Sequence, residues 1–217
     1  MWHLNTRKHL KIWFSLDENC FLTFENQYRF IQAILANPEA QFTFAYCSSV
    51  LSDKAHEALH AFCQRNHIVP FDIKKDLPSL LKSDLERNLY AIAMTEIIKA
   101  NSNEGGNLGA ASDCIRLISA VLEKGGIYSD FDVQLMFQSL PHFVPVQSPL
   151  LLPASYEADE LGLKSYSLNN EVFALTCKSP EVSVFCKNAL ERLEDLQLAV
   201  IKRYVKPSYA FFGGIHK

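Results

Sequence analysis

Apolar and polar positions change their period several times along the chain. The runs KIWFSL (11–16), QFTFAYC (41–47), HIVPFDI (67–73) and EVFALTC (171–177) are short and rich in aromatic and branched residues, and read as strands. Apolar residues at 24, 28, 31, 34 and 35 have helical spacing, so a helix is predicted over 23–37, and Pro38 forbids its continuation. Ser52 is a natural N-cap for a helix over 52–66. Another helix is predicted over 84–100, with Asp84 near its start. The clearest covers 107–126, with Leu108, Ala111, Ile115, Ile118 and Leu122 on its apolar face and Gly125 at the C′ position. Residues 180–204, opening on Pro180, read as a last helix. Between 141 and 166, Pro141, Pro145, Pro149 and Pro153 predict a long irregular region of the kind that often carries function. Strands alternating with helices at this spacing imply right-handed crossovers and a mostly parallel sheet, an α/β fold expected to form one domain over 1–217.

Composition adds mainly exclusions. Of the 217 residues, 48% are hydrophobic and 21% charged, as in a soluble globular protein, and the formal charge of −3 argues against nucleic acid or an anionic membrane as partner. No apolar run approaches the length of a membrane span. The N-terminus MWHLNTRKHLKIWF is basic but lacks the apolar stretch and cleavage site of a secretory signal. The six cysteines (20, 47, 63, 114, 177 and 186) form no CxxC pair and sit mostly in apolar context, so they read as free thiols in a reducing cytosol.

Against this background GGIYSDFDVQL (125–135) is unusual, because Asp130 and Asp132 interrupt an apolar run. On a strand, alternate side chains share a face, which places the two carboxylates about 7 Å apart with Phe131 and Val133 turned toward the core. Carboxylates so close repel each other, and burying either is costly unless a cation intervenes. Hard oxygen ligands select Mg²⁺, Mn²⁺ or Ca²⁺. A pair of solvated acids on an edge strand is the alternative. The DxDx(T/V) nucleophile of haloacid-dehalogenase phosphatases is not matched, since Gln134 stands at the fifth position.

The whole block NLGAASDCIRLISAVLEKGGIYSDFDVQL (107–135) resembles the nucleotide-sugar site of DXD-containing glycosyltransferases. It is most similar to the glucosyltransferase domain of large clostridial toxins, related bacterial effectors and fungal mannosyltransferases. KIWFSLDEN and SLNNEVFALTCKSPEVSVF resemble the first strand and a later Asn-rich turn, strand and helix of the same enzymes. The resemblance implies a GT-A fold, a nucleotide-diphosphate sugar donor (a UDP-sugar above all), Mn²⁺ or Mg²⁺, and retention of anomeric configuration. It further implies that Asp132 ligates the metal and that Asp130 holds the donor or a metal-bound water. Asp113 and Arg116 would grip the sugar, the alternative being a surface ion pair, with Ser129 beside the donor and Tyr128 either beside the base or a core aromatic. Asn169 and Asn170 would reach the sugar or metal, and His216 in the tail FFGGIHK would be a further metal ligand. Those toxins end their first strand in a tryptophan that stacks on uracil. Here Leu16 stands at that place and Trp13 three residues earlier, and with Trp2 as the only other tryptophan the toxins' C-terminal tryptophan lid has no counterpart. The chain is also shorter than the toxin domain, whose helical insertions choose the acceptor. A protein is one candidate acceptor, and for an effector the cytosol would be a host's.

Two other functions compete. HEALH (56–60) matches the HExxH helix of zinc peptidases, in which His56 and His60 would bind zinc and Glu57 act as base, with Glu86 or Glu96 as third ligand. In its extended form Cys63 stands where glycine is expected and His67 falls one position late. Ala55, Ala58, Leu59 and Phe62 already give this helix an apolar stripe, leaving His56, Glu57 and His60 to its flank. A nucleotide-sugar-binding module without turnover is the third possibility, motivated by the missing tryptophans.

Overall fold

The computed structural model describes residues 1–147, 150–151, 154–158, 164–168 and 172–175. Two strands open the chain, β1 (Trp2–Asn5) and β2 (Lys8–Ile12), followed by α1 (Phe24–Ala36), β3 (Gln41–Tyr46), α2 (Asp53–Arg65) and β4 (Val69–Asp72). Three helices come next, α3 (Asp84–Asn101), α4 (Leu108–Arg116) and α5 (Ser119–Gly125), and then β5 (Ile127–Ser129). The remaining strands are β6 (Phe143–Val146), β7 (Leu150–Leu151), β8 (Ala154–Ala158), β9 (Lys164–Leu168) and β10 (Val172–Leu175).

Six strands form the central sheet in the order β4-β3-β2-β5-β10-β7. β4, β3, β2 and β5 are parallel, while β10 pairs antiparallel with β5 and β7 antiparallel with β10. β1 pairs with β6, and β8 with β9, outside this sheet. Helices cover both faces. Phe42, Phe44 and Tyr46 of β3 pack with Phe30 and Ala33 of α1 and Leu59 and Phe62 of α2. Ala45 of β3, with Leu10 and Ile12 of β2, faces Ala93 and Ile97 of α3, Ala111 and Ile115 of α4 and Val121 of α5. Burial on both faces is why these strands read as near-continuous apolar runs.

The α/β expectation holds, with several corrections. The first sheet strand ends at Ile12, so residues 13–16 follow the strand instead of forming it. The 141–166 region carries β6, β7, β8 and the start of β9; a proline inside β6 is tolerated because β6 lies in a two-stranded pair. The helix expected over 107–126 is two helices. Leu117 and Ile118 close 3₁₀-type bonds to Cys114 and Ile115, Ile118 turns extended, and the new start at Ser119 is capped from another helix: buried Glu86 accepts from the Ser119 N–H and Oγ. Burial alone would push the Glu86 carboxyl up, but these bonds and one from the Lys82 N–H hold it below its ordinary range. Gly125 is the last helical residue, and Gly126, at φ 74°, is the cap. The helix predicted over 180–204 lies outside the described residues.

His9 on β2 is buried, stacks on Phe42 with ring centroids 4.8 Å apart, and has Nε2 3.1 Å from the Thr6 carbonyl. Burial pushes its imidazole down to about 4 from 6.5. Between those values the unfolded chain binds a proton that the folded one refuses, so stability falls as pH drops through the window, by at most about 3 kcal/mol. His9→Gln keeps an N–H and cannot titrate, so urea midpoints measured from pH 6.5 to 4 are expected to fall less steeply than in the wild type. Gly125 makes a second prediction. A Cβ there would lie 2.3 Å from the Leu10 Cβ. Gly125→Ala is therefore expected to cost about 1–3 kcal/mol in chemical denaturation.

Candidate active site

Chain order and sheet order diverge at β2. The chain builds β3 and β4 outward on one side, then returns to place β5 on the other side of β2. In open α/β sheets, ligands bind outside the carboxyl ends of the strands at such a switch point. A cleft of about 780 Å³ lies there. Trp13, Leu16 and Asp17 after β2, and Asp130, Phe131 and Asp132 after β5, contribute to its lining. Asn26 and Arg29 of α1, Gly109 and Ser112 of α4 and Tyr128 of β5 supply more of it.

Asp130 and Asp132 do not sit on a strand, which corrects the same-face reading. β5 ends at Ser129 and the two aspartates occupy a turn closed by the Val133 N–H on the Asp130 carbonyl at 3.2 Å. Phe131 between them is buried in the α1/α2 core, as expected, whereas Val133 is only half-buried. A turn presents two carboxylates to the cleft and still anchors the aromatic between them.

Arg116 and Asp113 are joined to this turn. At the end of α4 they form an ion pair one helical turn apart, and Arg116 is buried while Asp113 is half-buried. The guanidinium lies over the Tyr128 ring, 4.8 Å from its centroid, and 4.0 Å from the Asp130 Oδ1. The Tyr128 hydroxyl donates to that same Oδ1. Burial raises the pKa of the Asp130 carboxyl despite the Tyr128 bond and Arg116. The same effect raises that of the Tyr128 phenol. A carboxylate in this state is short of positive charge.

Lys11 of β2 was missed in the sequence. It is buried, and its Nζ donates to the Ser129 Oγ at 2.8 Å and the Asp130 carbonyl at 2.6 Å, with the Val133 carbonyl at 3.4 Å. Burial pushes its ammonium down to about 8. Ser129, expected beside the donor, is turned to Lys11 instead. The signal was a charge inside an apolar run, LKIWF, the same anomaly that singled out the aspartates. Downstream, the Asn37 side chain donates to the Leu135 carbonyl at 2.7 Å and accepts from the Phe137 N–H at 2.8 Å, pinning the far side of the turn.

The implied divalent cation fits this donor set. Among the described residues no three His, Cys, Asp or Glu side chains form a metal group. Two carboxylates at a cleft are what a Mg²⁺ or Mn²⁺ site takes from protein when substrate phosphates and water complete the shell. Asn169, Asn170 and His216 lie outside the described residues. Neither Glu86 nor Glu96 joins His56 and His60 in such a group: Glu86 caps α5, and Glu96 accepts from the Asn107 N–H at 2.8 Å. The described cysteines 20, 47, 63 and 114 are free thiols. Among the described residues no helix is long and apolar enough to cross a membrane.

Among solved structures, the chain is similar to the PaToxG glycosyltransferase at 20% identity with a TM-score of 0.59, covering 89% of this chain and 64% of that one. It thus spans slightly less than two thirds of the PaToxG chain. A mutant transferase aligns at 15% identity and TM-score 0.60, over 88% of this chain and 80% of that one. Another transferase aligns at 15% and 0.54, over 82% and 76%. These likenesses support a GT-A-like α/β fold. No curated protein matches. Residues 1–197 match the family described as glycosyltransferase family 88, and the chain belongs to that family.

Proposed function

We propose that this protein is a metal-dependent glycosyltransferase that takes a sugar from a UDP-sugar, with retention, and that the cleft between β2 and β5 is its donor site. The observation that carries this reading is the joining of Asp130, Arg116 and Tyr128 beside Asp132 at the switch point, in a chain of a glycosyltransferase family. HEALH is not favoured as a peptidase site, because among the described residues neither glutamate joins the two histidines in a metal group.

Each residue then has a task. Asp130 and Asp132 would hold Mn²⁺ or Mg²⁺, which when bound neutralises charge on the diphosphate leaving group as a Lewis acid. The Tyr128 hydroxyl occupies one oxygen of Asp130 and so sets the direction of the carboxylate. Arg116 is buried behind the cleft lining, where Asp113 and the Tyr128 ring fix it 4.0 Å from Asp130, so its guanidinium orients that carboxylate and would add positive charge near the diphosphate. Trp13 and the exposed Leu16 offer apolar surface to the base. Expelling a diphosphate needs no strong base, so a site of carboxylates and arginine suffices.

Calorimetric titration of UDP into the protein with and without Mn²⁺ tests the reading. Binding is expected to require the metal, and Asp132→Asn is expected to weaken it at least ~10-fold with the fold intact. Metal-independent binding, or full affinity in that variant, would sink it. Donor hydrolysis in the wild type separates an enzyme from a module that binds without turnover.

Lys11→Met makes a separate prediction, in which affinity and stability part. The variant removes the cost of burying a charge but strands the Ser129 Oγ and Asp130 carbonyl, opposing effects of roughly 1–3 kcal/mol each. The melting temperature should therefore move little while UDP–Mn²⁺ affinity drops ~10-fold, because the turn carrying both aspartates is released.

A further inference from the structure

HEALH leaves an arrangement that the donor site does not use. His56 and His60 lie one turn apart on α2, and their Nε2 atoms are 3.2 Å from each other. Each is also 3.2 Å from the Tyr46 hydroxyl at the end of β3. None of the three residues lines the donor cleft.

These three contacts have too few protons: a neutral imidazole nitrogen either donates or accepts, so at most two of the triangle's three edges carry a directed hydrogen bond. A cation suits the triangle better. An ion about 2.1 Å from each atom would sit roughly 1 Å above its plane and see them about 100° apart, between octahedral and tetrahedral values. His60 is exposed, so the outer side of that position is open to water. On the neighbouring strand, Asp72 of β4 is the register neighbour of Tyr46 and is buried; its Oδ2 has no hydrogen-bond partner among the described residues, with the Lys75 Nζ 3.7 Å away. Its negative charge favours a cation on this end of the sheet.

We propose that His56, His60 and Tyr46 form a second metal site, selective for Zn²⁺ over the hard cations of the donor site, that staples α2 onto the end of β3. Two imidazoles and a phenol prefer borderline first-row ions, whereas Mg²⁺ and Mn²⁺ prefer oxygen sets. The site is not a peptidase centre; it joins a helix to a strand outside the donor cleft.

The test uses the full chain, stripped of metal, in an Asp132→Asn background so that the donor site contributes little. Titration with Zn²⁺ is expected to show one tight event that raises the melting temperature. Affinity should fall at least ~10-fold in His56→Ala and in His60→Ala, and by less in Tyr46→Phe. In the Asp132 wild type, UDP–Mn²⁺ binding should be unchanged by His60→Ala, which alters an exposed side chain. Cu²⁺ in place of Zn²⁺ gives a readout on the unaltered site, since electron paramagnetic resonance should show two coupled imidazole nitrogens. Absence of Zn²⁺ uptake, uptake indifferent to both histidine variants, or a Cu²⁺ spectrum without nitrogen coupling would each overturn the proposal.

Discussion

The Lys11 ammonium ties β2 to the turn after β5, and the geometry of the cleft depends on that tie. Its donors reach the Ser129 Oγ and the carbonyl of Asp130 across the switch point, just past Leu10 and Tyr128, the last register pair of β2 and β5. A lysine buried this deeply is costly to keep charged, and burial pushes it down to about 8. The nearby carboxylates of Asp130 and Asp132 partly offset that cost, so the cation and the two anions stabilise one another's placement.

Around that tie the site is assembled from parts with other duties. Phe131 anchors the turn in the core formed with α1 and α2, making edge contacts with Trp13, Phe30 and Phe44. Tyr128 belongs to the opposite core and still delivers its hydroxyl to Asp130. Because both faces of the sheet are packed, a turn leaving the sheet between them has little freedom. Chemical groups on it inherit the rigidity of the cores, which is what a preorganised electrostatic site requires.

The two histidines of HEALH separate what a motif fixes from what its surroundings decide. Their spacing puts both on one flank of α2 whatever the fold. Whether that flank meets a glutamate, a hydroxyl or water depends on what the sheet brings to it, and β3 brings Tyr46. None of these three residues lines the cleft at the switch point.

Much of the fold was legible in the chain itself. The periods of its apolar residues marked α1, α2, α3 and the parallel strands to within a few residues, because both sheet faces are buried and helix caps such as Thr23, Ser52 and Ser83 are local. The block from Asn107 to Leu135 marked Asp113, Arg116, Asp130 and Asp132. What only the tertiary structure decided was non-local. The break between α4 and α5 depends on Glu86, a residue 33 positions away. The end of β5 before Asp130 depends on Lys11, 119 positions away. The convergence of His56 and His60 on Tyr46 depends on how a helix settles on a strand. Periodicity records which face of an element is buried; it carries no record of which distant side chain will supply the missing hydrogen bond or charge.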